Sequence, residues 1–235
     1  MSSKFLNILS LIKRKIKYKK SSYSFNAVDL IVDHMFKKKG VGFYLDIGSQ
    51  NPISNNNTYL LFQRGWRGIN IDLDIKNIEL FKICRPNDIN LNFAISSSIS
   101  KKKLYFYHDK SPINTLSHEV ANFQKAAIKE IKTVNSVTLN SVLENINFDN
   151  EISYMNIDVE GHEIDVLKGF DLKKYKPSVI SVEYLDLKMK HLELRNNDLS
   201  RVIKSELYVL LIKNNYHLVN WLHGDLIFAH DSFRD

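Results

Sequence analysis

The stretch GFYLDIGSQNP, residues 42–52, decides how this chain folds. Its first half is a short apolar run that ends at Asp46 and Gly48, which is typical of a buried parallel strand followed by a tight turn. Such a turn lets the backbone approach a ligand closely, although a simple strand-ending turn would have the same sequence. The second and third glycines of G-x-G-x-x-G are absent, so the turn favours a ligand without phosphates over a pyrophosphate.

Strands and helices alternate on either side of this stretch. The apolar spacing predicts strands at 68–72, 89–96, 152–159, 178–185, 216–222 and 225–230. It predicts helices at 26–38, 56–64, 75–83, 162–170 and 198–213. The region 101–140 is less regular, with extra strands at 104–108 and 136–139 and a helical piece around 118–130. The pattern predicts an α/β fold, a doubly wound, Rossmann-like, mostly parallel seven-stranded sheet with a C-terminal antiparallel hairpin.

The composition and charge of the 235 residues limit the function classes. A chain that is 44% apolar and 25% charged suits one globular domain, and the single Cys84 allows no intramolecular disulfide, which indicates a reducing, cytoplasmic location. The net charge is +7, but seven of the 33 basic residues lie in residues 1–20, which contain no acid. The other 26 basic residues equal the 26 acidic ones, so a basic face for nucleic acid is not expected.

The basic residues 1–20 form an amphipathic arm. Phe5, Leu9, Ile12 and Ile16 fall at helical spacing, with lysines on the other face. This arm either lies on the anionic inner surface of the membrane, or it is a leader helix that packs on the domain or a frayed basic tail, and the interpretation without a membrane is favoured. Residues 1–40 are therefore assigned to the arm and leader helix, and residues 41–235 to the functional domain. The pattern is neither a signal peptide nor a membrane span.

Two further acidic positions follow strands. Asp72 ends the second predicted strand, 26 residues after Asp46, where a carboxylate can accept hydrogen bonds from a ribose diol. Asp74 is the neighbouring alternative, or simply a helix cap. A nicotinamide cofactor would use the same acid, so this feature does not separate the two cofactor classes.

The block ISYMNIDVEGHEIDVLKG, residues 152–169, is the most specific feature. Asp158, Glu160, His162 and Glu163 stand within six residues between an apolar strand and a helix. Acids at a helix N-terminus can merely cap it and complement its dipole, which accounts for one or two of them. That explanation does not account for His162. Glu183, at the end of the next strand, lies at the edge where the site is predicted, but it is expected only to cap a turn.

Taken together, these segments resemble the FkbM-type methyltransferases, which are S-adenosylmethionine-dependent O-methyltransferases associated with sugar and polysaccharide modification. The resemblance rests on YLDIGSQNP, NNNTYLLFQRGWRGINID, INLNFAIS, Asn114-Thr115-Leu116, IDVEGHEIDVLKGF and VISVE, and it covers roughly residues 42–230. It implies the class I methyltransferase fold and S-adenosylmethionine as cofactor. The chain departs from the family at Asn51-Pro52, where a further glycine is frequent.

The resemblance assigns roles position by position. The implied cofactor residues are Asp46, Gly48, Ser49, Asn57, Thr58, Asp72, Ala94 and Ile95. The first three would face the amino-acid end of the cofactor, with the next two nearby. Asp72 would bind the ribose, and the last two would line the adenine.

The implied acceptor residues are Asp158, Glu160 and His162. Among them His162 is the first candidate for the general base, because its ordinary pKa lies near neutrality, and Glu160 is the second. A competing role for Asp158 and Glu160 is to hold a divalent cation that polarises the acceptor hydroxyl, but a metal is not favoured.

The function predicted from the sequence is methyl transfer to a hydroxyl of a small sugar, nucleotide-sugar or glycan precursor. Two alternatives stay open. A nicotinamide-dependent oxidoreductase shares the sheet and Asp72 but lacks the glycine turn. A catalytically silent, membrane-associated binding module is disfavoured by the acidic block. The sequence does not indicate an oligomeric state.

Overall fold

A seven-stranded sheet organises the chain in the computed structural model, which describes residues 3–17, 20–124, 126–185 and 199–234. The strands are β1 (Phe43–Ile47), β2 (Arg67–Asp72), β3 (Ile89–Asn92), β4 (Ala94–Ile95), β5 (Ser100–Phe106), β6 (Glu130–Val137), β7 (Tyr154–Ile157), β8 (Val179–Glu183), β9 (Tyr216–Leu222) and β10 (Asp225–His230). The helices are α1 (Ser3–Lys17), α2 (Val28–Met35), α3 (Tyr59–Gln63), α4 (Ile75–Cys84), α5 (His118–Phe123), α6 (Leu139–Asn145), α7 (Glu163–Lys168), α8 (Leu172–Tyr175), α9 (Leu199–Lys204), α10 (Glu206–Lys213) and α11 (Asp231–Arg234).

The strand order of the large sheet is β3-β2-β1-β7-β8-β10-β9. All neighbouring pairs are parallel except those of β10, which runs antiparallel to both β8 and β9. The chain order reverses between β1 and β7, and a ligand site is expected beyond the carboxyl ends of the strands at such a reversal. The predicted α/β class, the seven-stranded sheet and the closing hairpin are confirmed.

Apolar side chains of β1 and β7 are buried on both faces of the sheet, which is why these strands read as continuous apolar runs. On one face Tyr44 and Tyr154 pack in a cluster with Trp66 and with Val28 and Val32 of α2. On the other face a larger cluster is closed by apolar residues of α6, α7, α9 and α10. Helices therefore cover both faces, and the predicted boundary at residue 40 runs through one packed core.

The strand predicted over 89–96 is divided into two. β3 ends at Asn92, and β4 belongs to a separate three-stranded sheet of order β4-β6-β5. The Phe93 N–H donates to the Asp72 carbonyl (3.1 Å), and the Ser96 N–H donates to the carbonyl of Val137 in β6 (2.9 Å). The chain thus leaves the large sheet at Phe93, and β4 lies beside the carboxyl end of β2.

The helix predicted over 198–213 is also two helices, α9 and α10, because Ser205 interrupts it. The Ser205 backbone is extended, and its hydroxyl accepts the Tyr208 N–H (3.2 Å) as the cap of α10. The irregular region 101–140 and the segments after it differ from prediction as well, since α5 is shorter, β5 and β6 are longer, and α6 and α8 were not predicted.

The arm is helical, as predicted, over α1. Ile8, Leu11 and Ile12 are exposed along it, with Leu11 at 66%. Across the described residues, no helix combines the length and the apolar character needed to cross a membrane.

Candidate active site at the carboxyl edge of the sheet

Two adjoining cavities open where the strand order reverses. The first lies between the ends of β1 and β2 and the strand β4, and it is narrow, about 50 Å³. The second lies beyond the ends of β7 and β8 and is wider, about 400 Å³. Both are lined by Gly48, Gln50, Pro112, Asp158 and Glu160, so these residues mark where the cavities meet.

Gly48 brings the turn after β1 against the turn after β7. Its φ is +78°, and a Cβ at this position would lie 1.7 Å from the carbonyl oxygen of Asp158. Its N–H donates to the carbonyl of Ile71, at 2.9 Å. The glycine is therefore required by the contact between two turns, and its backbone forms part of the wall of both cavities.

Asp46 does not line either cavity. It is fully buried, and its carboxylate accepts hydrogen bonds from Thr58 Oγ1 (2.8 Å), Asn56 Nδ2 (3.2 Å) and Asn156 Nδ2 (2.9 Å). Burial raises the pKa of this carboxyl, and these hydrogen bonds oppose the shift. The side chain lies outside the walls of both cavities, and it holds the segment after β1 in place.

Thr58 and Ser49 are likewise buried away from the cavity walls. Thr58 accepts a hydrogen bond from Arg85 Nη1 (2.8 Å), and Arg85 Nη2 donates to Asn56 (2.8 Å). Sequence reasoning missed Arg85, which is fully buried and lies within 6 Å of four aromatic ring centroids. No sequence pattern marks it, because its partners come from four separate segments.

Asn57 lies on the wall of the second cavity, and its Nδ2 donates to Asn156 Oδ1 (2.9 Å). The predicted cofactor residues therefore do not lie together: some line a cavity, and others are buried behind the cavity walls. Gly48 and Asn57 face the second cavity, while Gly48 also faces the first.

Asp72 lies in the first cavity, where it was predicted to bind a ribose. Its carboxylate accepts the N–H groups of Gln50 (2.9 Å) and Asp74 (2.7 Å), together with Asn77 Nδ2 (3.1 Å). Burial raises the pKa of Asp72 to about 6, against the effect of these donors. Three donors leave lone pairs for a further hydroxyl. Ala94 and Ile95 line the same cavity from β4.

His162 also lines the first cavity and not the second. Its Nε2 lies 3.0 Å from Ser96 Oγ, and its Nδ1 lies 3.5 Å from an oxygen of Asp165. Burial lowers the pKa of the imidazole. The histidine therefore stands beside Ala94 and Ile95, on the side predicted for adenine.

Asp158, Glu160 and Glu183 form an acidic cluster in the second cavity. One carboxylate oxygen from each lies within 4.8 Å of the other two. Burial, then repulsion from Glu163, raises the pKa of Glu160 to about 7, and burial with neighbouring acids raises the pKa of Asp158 and Glu183 well above their ordinary values.

The backbone at Glu160 is strained, with φ +56°. Non-glycine residues rarely adopt this conformation, and they keep it only where the surroundings fix it. Here the Glu160 carbonyl accepts the Thr115 hydroxyl at 2.6 Å. The following Gly161 has φ +86°, and a Cβ there would lie 2.2 Å from Val120 in α5. Thr115 and α5 thus hold the turn that presents Glu160 to the cavities.

The family profile described as "Methyltransferase FkbM domain" matches residues 46–203. The chain belongs to the FkbM methyltransferase family. A search of curated proteins and a search of solved structures found no match. The matched range of this FkbM methyltransferase runs from β1 past β8 and contains Asp72 and the whole acidic cluster.

Glu183 is the residue of this methyltransferase whose importance the sequence analysis missed. It was expected only to cap a turn, but its Oε2 is buried and finds no hydrogen-bond partner in the part of the chain that the structure describes. The signal was available, because Glu183 ends β8, and β8 is the parallel neighbour of the strand that precedes Asp158. Parallel neighbours end at the same edge of a sheet.

The walls of both cavities are strongly acidic. Asp72, Asp74, Asp158 and Glu160 line the first, and the second adds Glu183 and Asp225. No lysine or arginine lines either cavity among the residues that the structure describes. Such walls attract cations and repel phosphates.

Proposed function

We propose that this FkbM-family methyltransferase uses S-adenosylmethionine and methylates a hydroxyl oxygen of a small, sugar-like acceptor. The observation that carries the proposal is the pair of adjoining cavities that meet at Asp158 and Glu160, with acidic walls on both sides of the junction. The first cavity has the lining that a nucleoside needs, although at about 50 Å³ it must widen to admit one, and the second, at about 400 Å³, is wide enough for an acceptor.

The first cavity fits the chemical groups of S-adenosylmethionine. Asp72 offers lone pairs for ribose hydroxyls, and Phe93, Ala94 and Ile95 offer an apolar surface for a flat base. The sulfonium and ammonium groups carry positive charge, which acidic walls stabilise. A nicotinamide dinucleotide carries two phosphates, which the same walls would repel, so the oxidoreductase alternative is disfavoured.

S-adenosylmethionine supplies an activated methyl group on sulfur. The protein must then align the acceptor oxygen with that methyl and exclude water. The methyl–sulfur bond breaks as the methyl–oxygen bond forms, and the hydroxyl proton passes to a carboxylate of the protein. We assign this proton to Glu160, because it lines both cavities where they meet, whereas His162 lines only the first one.

The second cavity favours an uncharged acceptor. Besides its acids, its wall carries the amide side chains of Gln50, Asn26, Asn55 and Asn57, which pair well with sugar hydroxyls. Its volume of about 400 Å³ suits a small molecule. A neutral sugar therefore fits these walls better than a nucleotide sugar, and a role in glycan or surface polysaccharide synthesis follows from that acceptor class.

Calorimetric titration tests the cofactor. S-adenosylmethionine and S-adenosylhomocysteine are expected to bind with micromolar affinity, and NAD is not. Asp72→Ala should abolish this binding, while Asp149→Ala, which changes an exposed acid at the opposite edge of the sheet, should leave it unchanged. A preference for NAD, or no binding of either sulfur compound, would refute the proposal.

A screen with methyl-labelled S-adenosylmethionine tests the acceptor. Neutral sugars and the matching nucleotide sugars are offered in parallel, and label is expected to appear first in the neutral compounds. Label found only in nucleotide sugars would show that the charge argument about the second cavity is wrong.

We further propose that α1 contacts an anionic membrane surface. Ile8, Leu11 and Ile12 are exposed on a helix rich in lysine, and this combination is typical of interfacial helices. Sedimentation with anionic vesicles should be lost on removal of residues 1–20 and weakened by Leu11→Glu, with neutral vesicles as the control. Unchanged sedimentation of the shortened protein would contradict this location.

A further inference from the structure

The acidic cluster is assembled by two neighbouring parallel strands. Asp158 and Glu160 follow β7 and Glu183 ends β8, and the register places Ile157 opposite Val182 just before the two ends. One oxygen from each carboxylate lies within 4.8 Å of the other two. A cation bound at about 2.1 Å holds its ligand oxygens no more than about 4.2 Å apart, so shifts of the side chains by a few tenths of an ångström would close the cluster around one ion.

Other buried acids nearby have protein partners. Glu163 Oε1 accepts the N–H groups of Val159 (3.1 Å) and Gly161 (2.9 Å). Asp225 Oδ2 accepts Asn26 Nδ2, at 2.8 Å. Each of these carboxylates is thus compensated by a donor that the fold supplies.

The cluster lacks such compensation. Among the residues that the structure describes, Glu183 Oε2 is buried without a hydrogen-bond partner and no donor reaches the Asp158 carboxylate. The Glu160 carboxylate accepts one long hydrogen bond from a described side chain, Gln124 Nε2 at 3.5 Å. The three residues are only partly buried because they face the cavity, but a buried carboxylate oxygen without a partner, such as Glu183 Oε2, is costly and is retained in proteins mainly where it binds a metal or acts in catalysis.

We propose that Asp158, Glu160 and Glu183 bind a divalent cation, Mg²⁺ or Mn²⁺, in the second cavity. Carboxylate oxygens select hard cations, and an all-oxygen set is typical of these ions. Three carboxylates leave coordination positions open for water and for an acceptor hydroxyl.

This inference rests on the proposed function, because the cation would act on the acceptor of that reaction. A hydroxyl bound to a divalent cation loses its proton more readily. The bonds that form and break are those already described, and the hydroxyl proton leaves to the Glu160 oxygen that does not face the ion. Glu183 would then be a ligand that positions the acceptor.

The site is tested by titrating the full chain with Mn²⁺. Binding is measured as the loss of the free-ion signal in electron paramagnetic resonance. One ion per chain is expected, with Mg²⁺ as competitor. Glu183→Gln should weaken Mn²⁺ binding by about tenfold or more, since even indirect partners of a metal contribute about that much. The matched control is Asp225→Asn, which removes a charge from the same cavity outside the cluster and should change the affinity far less.

Three outcomes would overturn the inference. These are no Mn²⁺ binding at millimolar concentration, equal weakening by Glu183→Gln and Asp225→Asn, or displacement of Mn²⁺ by S-adenosylhomocysteine. Equal weakening would indicate a diffuse negative potential, and displacement would show that the carboxylates serve the cofactor's ammonium group.

The fold of each variant is checked by circular dichroism. If Glu183→Gln does not fold, Glu160→Gln replaces it with the same expected weakening. Titration with S-adenosylhomocysteine is run in parallel. Cofactor binding without Mn²⁺ binding removes only this inference, whereas Mn²⁺ binding without cofactor binding removes the proposed function.

Discussion

Asp46 and Glu183 lie at the carboxyl edge of one sheet, in β1 and β8, yet their surroundings differ. Asp46 accepts three side-chain hydrogen bonds and lies near Arg85, whereas Glu183 has a buried oxygen without a partner among the described residues and several acids nearby. The first arrangement is what the fold needs to bury a charge. The second arrangement lowers the stability of the protein, and a ligand that supplies the missing partner restores that stability on binding.

The largest expected effect is a loss of stability, and it is expected among the residues that compensate the buried charge of Asp46. Arg85→Met removes the cation that binds Thr58 and Asn56 and leaves Asp46 less compensated, so the free energy of unfolding should fall by about 3–5 kcal/mol. Urea denaturation measures the loss. The control Arg67→Met changes a more exposed arginine beside the same Phe62 ring. If both variants unfold at the same urea concentration, the Arg85 network has no structural role.

In the acidic cluster, where the carboxylates lack donors, a substitution should lower turnover and leave stability nearly unchanged. Glu160→Gln keeps the shape of the side chain but cannot accept the acceptor's proton, so kcat should fall by about 100-fold or more. Affinity for S-adenosylhomocysteine and thermal stability should change little. Glu119→Gln, an exposed acid on the adjacent α5, is the control. If Glu160→Gln lowered thermal stability and left kcat unchanged, Glu160 would have a structural role like that of Asp46.

Asp72 adds a third case to this comparison. Its carboxylate accepts hydrogen bonds from three donors, and burial still raises its pKa to about 6. A carboxyl whose pKa is raised in the folded protein stabilises the fold fully below its unfolded value, near 3.8, and loses that contribution as pH rises through about 6. Between these values the ligand-free protein should lose about 1–3 kcal/mol of unfolding free energy. Asp72→Asn should flatten this slope in urea denaturations across the range. An unchanged slope would show that the three donors fully compensate the burial.

The smallest effect is expected at His162. It lies beside the predicted adenine side, so His162→Asn should weaken binding of S-adenosylhomocysteine a few-fold. Its kcat at saturating cofactor should fall less than about tenfold, well below the contribution of a general base. A loss of kcat as large as that of Glu160→Gln would return the role of base to His162.

The fold was predictable because each central strand reads as an apolar run that ends in a polar residue. That pattern located β1, β2, β7 and β8 to within a few residues. The exit of the chain from the large sheet at Phe93 was not predictable, because INLNFAIS contains no break signal and the exit depends on pairing with β6, about 40 residues later.

The site was predictable where a single segment carries it. The block around Asp158 and Glu160 was recognisable by its density of acids. Asp72 was recognisable by its position directly after a strand. Glu183 and Arg85 are isolated in the sequence and gain their meaning only from partners on other segments. Whether a carboxylate is compensated or left without a donor depends on such partners, so local spacing cannot distinguish Asp46 from Glu183.

The contact at Gly48 has a consequence for attempts to redesign this protein. A side chain there would overlap the carbonyl oxygen of Asp158, so even alanine would force the two turns apart. Both cavities would change together, and altered acceptor preference could not be separated from altered cofactor affinity. Residues that line only the second cavity, such as Asn55 and Ile113, are the places where acceptor choice can be altered independently.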